Sequence, residues 1–376
     1  MRKKDNYHGG DWASYEMEHG SEPLDFSMNV NPLGMPEGVA KAIASAAKKA
    51  DRYPDPECRR LRRALADHEG VPEDWIFCGN GAADIIDRIG AVQKEKRLAL
   101  VTAPTFSEYG QALRRWGWEV KSLELEECDG FRMVESFPEK MEKLLSGNEG
   151  KGPMTSGERI VFLCEPNNPT GITTDRELLD DILRVCRKYE AILVIDECFN
   201  GFLDEPEEHT MKDNLEEYPK LILLKAFTKL YGMAGVRLGY CLCSSGEILE
   251  RLGNAGQPWN VSYLAEEAGL AALKEKEYVE KTRQIIKTER AYLKEQLALM
   301  GVGCVYGEAN YILFQWDGGG SLPEMLREKG ILIRDCSNYE GLEEGWYRIS
   351  VRTHEDNEKL IHCLEELRIR EGQYER

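Results

Sequence analysis

The sequence predicts an α/β protein: a large domain with a mostly parallel sheet flanked by helices, followed by a smaller α+β C-terminal domain. Three observations predict it. Short β-branched or leucine-rich runs alternate with longer segments of helical periodicity through the middle of the chain. The pattern changes near Asn260, and 376 residues exceed the usual size of one domain. The expected division is residues 1–45 as an N-terminal arm and the start of the small domain, 46–258 as the large ligand-binding domain, and 259–376 as a long linking helix and the small C-terminal domain.

In chain order the strand candidates of the large domain are WIFCG (75–79), RLALVTAP (97–104), EVKSLEL (119–125), RIVFLCEP (159–166), AILVIDECF (191–199), LILLKAF (221–227) and LGYCLC (238–243). Helical patterns lie between several of them. In DRELLDDILRVCRKYE (175–190), Leu178, Leu179, Ile182, Leu183, Val185 and Cys186 form one apolar face, with Asp175 as the expected N-cap. Strands separated by such helices imply parallel pairing. One long helix is expected over 265–300, then strands at NYILFQW (310–316), ILIRDC (331–336) and WYRISV (346–351), with helices at 321–330 and 354–371. The segment SGNEGKGPMTSGE (146–158) reads as a surface loop rather than a linker, because the alternating pattern resumes after it.

Charge and composition narrow the function. The net charge is −18, from 67 acidic and 49 basic side chains with no long basic block, which argues against nucleic acid or an anionic membrane as the main partner. The opening MRKKDNYHGGDW has no apolar core behind its basic residues, so neither a signal peptide nor a membrane anchor is expected. Apolar runs are strand-sized, short of the ~18 residues of a membrane span. Eleven cysteines are scattered without a Cys-x-x-Cys pair. They read as reduced thiols of a cytoplasmic protein, with no metal site expected.

The chemistry sits where the strands end, since ligands of parallel α/β sheets bind outside the carboxyl ends of the strands. GNGAADII (79–86) follows one strand and opens a helix; Gly79 and Gly81 allow a tight turn, and the backbone N–H groups of Gly81, Ala82 and Ala83 would face an anion. Glycines at a helix start also serve many ordinary turns. EPNNPTG (165–171) supplies two amides between prolines, equally readable as a rigid turn. Asp196 closes a very apolar strand and needs a cationic or hydrogen-bonding partner, in a site or in a structural ion pair. Lys229, just beyond another apolar strand, has its ammonium form disfavoured there, which makes it a nucleophilic amine able to form an imine. Arg237 follows eight residues on, through small residues, as a phosphate ligand. An aldehyde for Lys229, an aromatic cation for Asp196, a ring hydroxyl for Asn168 and a phosphate for Arg237 and the glycine loop describe one ligand, pyridoxal 5′-phosphate.

The ordered motifs GNGAA, APTFSEY, EPNNPTG, DECF and K-x7-R resemble the class I/II aminotransferase superfamily of pyridoxal-phosphate enzymes over nearly the whole chain. The resemblance implies an aminotransferase-like large domain, a small domain that closes on substrate, and a homodimer with active sites at the interface. It also implies roles. Lys229 matches the lysine that carries the cofactor, Asp196 the partner of the pyridine nitrogen, Asn168 the donor to the ring hydroxyl and Phe106 the aromatic stacked on the ring. Gly81, Ala82, Ala83, Thr228 and Arg237 match the phosphate site. Tyr53 matches a tyrosine that reaches the phosphate from the neighbouring subunit, with His8 a second candidate to cross the interface. Two positions depart from the pattern: Phe199 stands where many relatives have a tyrosine, and Ala226 where a hydroxyl residue is common.

Within the superfamily, YHGG, LDFSMNVNPLGMP, GQPWNVS, ILIRDCSNYEGL and YRISVRT resemble the threonine-phosphate decarboxylases of cobalamin biosynthesis, with histidinol-phosphate aminotransferases next. That resemblance implies His8, Asn29, Asn168, Arg334 and Arg348 as substrate ligands, without saying which arginine meets phosphate and which meets carboxylate. Without it, His8 reads as a solvated histidine and Arg334 and Arg352 as surface charges. Serine phosphate lacks only one methyl of threonine phosphate, a difference the sequence does not decide. A cofactor-sensing transcription regulator would need a basic DNA-binding segment, which this chain lacks.

Overall fold

The computed structural model describes residues 8–92, 97–146 and 157–374. Residues 1–7 of the opening segment and most of the loop expected at 146–158 lie outside them. The strands are β1 (Leu24–Asp25), β2 (Ile76–Gly79), β3 (Arg97–Ala103), β4 (Glu119–Glu124), β5 (Glu158–Cys164), β6 (Ile192–Asp196), β7 (Leu221–Ala226), β8 (Gly239–Leu242), β9 (Tyr311–Gln315), β10 (Ile331–Leu332), β11 (Arg334–Asp335) and β12 (Trp346–Ser350).

All seven runs expected as large-domain strands join one sheet, in the order β2-β8-β7-β6-β5-β3-β4. Its pairs from β7 to β4 are parallel, while β8 runs antiparallel to both β7 and β2. Alternate residues of the central strands enter different cores. Leu163, Ile195 and Leu223 face one, and Phe162, Val194 and Ile222 the other, which is why these runs are apolar throughout rather than alternating. A separate three-stranded antiparallel sheet, β11-β12-β9, packs Ile312, Phe314 and Ile349 against Ile286, Leu293 and Leu360 of two long helices.

Three local expectations are corrected. The helix expected over 265–300 is two, Tyr263–Ala272 and Lys276–Leu299. The break falls at Leu273 to Glu275; Ala265, Ala268 and Ala272 of the first helix pack in the core of the large sheet, while Ile286, Leu293 and Leu297 of the second pack against the small sheet. ILIRDC is not one strand: β10 pairs in parallel with β1, and after Ile333 the chain passes to β11, antiparallel to β12. Asp175 occupies the N-cap position of the helix Arg176–Lys188, but its side chain makes no capping bond. Among the described residues, no helix is long and apolar enough to cross a membrane.

Candidate active site

The carboxyl ends of β5, β6 and β7, the start of the helix Ala82–Ala91 and the faces of β11 and β12 converge on one cavity of about 240 Å³. Lys229 reaches it from the short helix Phe227–Leu230 that follows β7. Burial, then the positive charges of Arg348 and Arg237, bring the Lys229 ammonium down from 10.5 to about 8. Its Nζ lies 5.7 Å from the centre of the Phe199 ring, whose edge packs on Tyr311. A neutral amine is thus accessible near physiological pH.

Asp196 ends β6, buried, and is held from two sides: the Tyr109 hydroxyl donates to Oδ2 at 2.6 Å and the Cys198 backbone N–H to Oδ1 at 2.9 Å. Burial and the neighbouring Asp196 charge push the Tyr109 phenol well up, so it stays a donor. These bonds are what lets a carboxylate end an apolar strand.

Asn168 stands in the turn after β5. Its Oδ1 accepts from Arg348 Nη1 and from the Tyr339 hydroxyl, the latter at 3.5 Å. Glu165 ties down the return of that turn by accepting from the Thr174 N–H at 2.9 Å and hydroxyl at 2.5 Å. Burial raises the Glu165 carboxyl from 4.5 to about 8, against the Thr174 bonds. Because the folded value lies above the unfolded one, the stability from this group is full below 4.5, declines as pH rises, and is lost above about 8. Glu165→Gln is therefore expected to gain stability relative to the parent between about pH 5 and about pH 8.5, read from melting temperatures. A difference that does not change with pH would contradict it.

At the N-terminus of the helix Ala82–Ala91, the first-turn N–H groups of Ala82 and Ala83 lack intrahelical acceptors. The Arg237 guanidinium lies against this end: a Cβ built on Gly81 would come within 2.5 Å of Arg237 Nη2, and one on Gly239 within 2.6 Å of the Ala82 nitrogen. The small residues noted in the sequence thus make a cradle that side chains would fill. Gly81 has φ +79° and ψ 165°, a conformation nearly confined to glycine. Gly81→Ala is expected to add about 1–3 kcal/mol of strain and displace Arg237, weakening pyridoxal phosphate binding about tenfold or more in a titration. Unchanged affinity would mean that Arg237 does not contact the phosphate.

Arg334 and Arg348 are direct Cα partners across β11 and β12, both buried, and both line the cavity. Arg334 Nη2 donates to Asn338 Oδ1 at 2.7 Å, and Arg348 Nη2 to the Ser27 carbonyl at 3.0 Å. Arg348 Nε and Asn29 Oδ1, on two residues that line the cavity, are buried with no hydrogen-bond partner. His8 reaches the same cavity, its Nε2 2.8 Å from Glu108 Oε1 and its ring 5.8 Å from that of Phe106. Arg352 turns away, to Asp356 at 3.1 Å and the Asp25 carbonyl.

Of the residues singled out in the sequence, Lys229, Asp196, Ala82, Ala83, Phe106, Asn168, Thr228, Arg237, His8, Asn29, Arg334 and Arg348 line this one cavity, with Gly81 directly behind Arg237. Tyr53 does not: it is 81% exposed and packs on Trp259, ring centres 4.8 Å apart. Sequence reasoning missed Tyr109 and Tyr339. Tyr109 follows Phe106 by three residues, one helical turn, and that spacing could have found it. Tyr339 lies in an irregular segment with no periodic signal.

The residues fit pyridoxal phosphate: an amine brought down to about 8 by burial, a buried carboxylate, an amide and a cradle of N–H groups with an arginine surround one space. Comparison with known proteins agrees. A threonine-phosphate decarboxylase of Salmonella typhimurium is 35% identical over 362 residues, 95% of each chain. A histidinol-phosphate aminotransferase of Caldanaerobacter subterraneus is 32% identical, over 95% of this chain and 96% of that one. The crystal structure of the histidinol-phosphate aminotransferase from Clostridium acetobutylicum superposes with a TM-score of 0.83 at 27% identity, covering 92% of this chain and 99% of that one. The family model of aminotransferase class I and II matches residues 21–364, and the chain belongs to that family.

Proposed function

We propose that this protein is a pyridoxal-phosphate-dependent decarboxylase that converts L-threonine O-3-phosphate to (R)-1-amino-2-propanol O-2-phosphate and carbon dioxide, a step of cobalamin biosynthesis. The observation that carries the reading is the pair of buried arginines, Arg334 and Arg348, opening on the same cavity as Lys229. A substrate with a phosphate and a carboxylate offers each of them an anion.

When bound, pyridoxal phosphate supplies an aldehyde for amines and a protonated ring that accepts the electron pair left by a broken bond at the substrate Cα. Asp196, fixed by Tyr109 and the Cys198 N–H, would hold the proton of the ring nitrogen. Asn168, whose Oδ1 is engaged by Arg348, has its Nδ2 for the ring hydroxyl. Ala82, Ala83, Thr228 and Arg237 would hold the cofactor phosphate, and Phe106 would pack on the ring. His8, Asn29 and the arginines orient the substrate. By anchoring the substrate phosphate, these residues would fix the rotation about Cα that favours release of the carboxylate over removal of the Cα hydrogen. Lys229 Nζ would then return a proton to the substrate Cα.

Tyr53, exposed beside Trp259, is assigned to the cofactor phosphate of a second subunit in a homodimer. Sedimentation as a monomer would overturn that part. The small unit on β9, β11 and β12 is proposed to close on the large one with substrate. A cytoplasmic location, with no membrane or nucleic-acid partner, goes with the reading.

The reading is tested by incubating holoenzyme with threonine phosphate alone and identifying products by mass spectrometry. Aminopropanol phosphate is expected. Intact substrate at full cofactor occupancy would overturn it, and faster turnover of serine phosphate would move the assignment by one methyl group.

A further inference from the structure

Arg334 and Arg348 are opposed on adjacent antiparallel strands, so two guanidinium groups leave backbone positions only about 5 Å apart toward one cavity. Like charges that close repel when partly shielded from water, unless other groups keep them apart. Asn338 engages one arginine and Ser27 the other. Tyr339 touches both. The Arg334 guanidinium carbon lies 5.4 Å from the centre of the Tyr339 ring. The Tyr339 hydroxyl is 3.4 Å from Arg348 Nη1 and 3.5 Å from Asn168 Oδ1. Tyr339 is itself only 7% exposed, in a turn closed by its own N–H on the Cys336 carbonyl at 3.0 Å, directly after β11.

We propose that Tyr339 is a spacer that fixes the separation of the two anion-binding arginines, and so selects by length the doubly anionic ligand the cavity accepts. It rests on the reading above for the nature of the substrate's two anions. A guanidinium over an aromatic face is held there by the ring quadrupole and cannot fold toward a neighbour without leaving the ring. The hydroxyl, at the far end of the same rigid side chain, meets Arg348 Nη1 beside the bond that this nitrogen donates directly to Asn168. Tyr339 is thus a positioning residue: it acts through the arginines.

The test uses holoenzyme and three probes that differ only in methylene count: phosphonoacetate, 3-phosphonopropionate and 4-phosphonobutyrate. Dissociation constants are measured by calorimetry for the parent, Tyr339→Phe and Tyr339→Ala, with Tyr339→Leu in place of alanine should that variant lose cofactor. The parent is expected to prefer one length by about tenfold, and the variant without a ring to bind all three within about threefold. Tyr339→Phe keeps the ring and is expected to keep the preferred length with weaker binding. A parent with no preference, a ringless variant with an undiminished one, or a phenylalanine variant as indiscriminate as the ringless one would each overturn the proposal. The probes carry no amine and are not turned over. Length selection without carbon dioxide from threonine phosphate would therefore sink the proposed reaction and leave the spacer standing.

Discussion

Lys229→Ala is expected to lower turnover of threonine phosphate by about 10³-fold or more. The variant loses both the amine that captures the aldehyde and the group that returns a proton to Cα. It keeps Arg237, Asp196 and the helix N-terminus, so cofactor is expected to bind noncovalently, which absorbance and ultrafiltration would separate from loss of folding. The same amine predicts a pH dependence. Its folded value is depressed to about 8, so the neutral form is the minority below that pH and dominates above it. Capture of pyridoxal phosphate by the cofactor-free protein should accelerate about tenfold per pH unit up to about 8 and level off beyond. A rate that is flat from about pH 6.5 to 8 would show that the neutral amine is not the reacting form.

Arg348→Ala is expected to cost about 10²- to 10³-fold in kcat/KM, the consequence of removing a buried charge that pairs with a substrate anion. The guanidinium is buried at the cavity, donates to Asn168 and Ser27, and its Nε is buried without a hydrogen-bond partner. Arg348→Lys is not expected to rescue it, since an ammonium cannot reproduce the planar fork. After burial, Arg348 is the largest influence holding Lys229 down, so its removal should also move the cofactor-capture profile to higher pH. Arg352→Ala is the control, because that guanidinium is spent on Asp356 and the Asp25 carbonyl. A loss in Arg352→Ala as large as in Arg348→Ala would mean the effect is structural.

The parts legible in the sequence were those that local chemistry dictates. Central strands such as 192–196 and 221–226 announce themselves because both of their faces are buried, and the candidate cofactor residues stand near the strand ends where a parallel sheet puts ligands. The break at Leu273 to Glu275 was hidden because every residue there favours a helix; what ends it is which core each half packs on. The split of ILIRDC was hidden because its two halves pair with β1 and β12, more than 300 residues and 12 to 14 residues away, and no window of sequence holds both. Tyr109 and Tyr339 were missed for a related reason. Each acts on a functional group contributed from a different part of the chain, Asp196 in one case and the arginines with Asn168 in the other.

The most direct test of the central claim is to give holoenzyme threonine phosphate, and separately histidinol phosphate with 2-oxoglutarate, and to measure carbon dioxide and glutamate in each. The account predicts carbon dioxide from threonine phosphate and no glutamate from histidinol phosphate. Glutamate from histidinol phosphate, with threonine phosphate left intact, would contradict it and make the protein an aminotransferase.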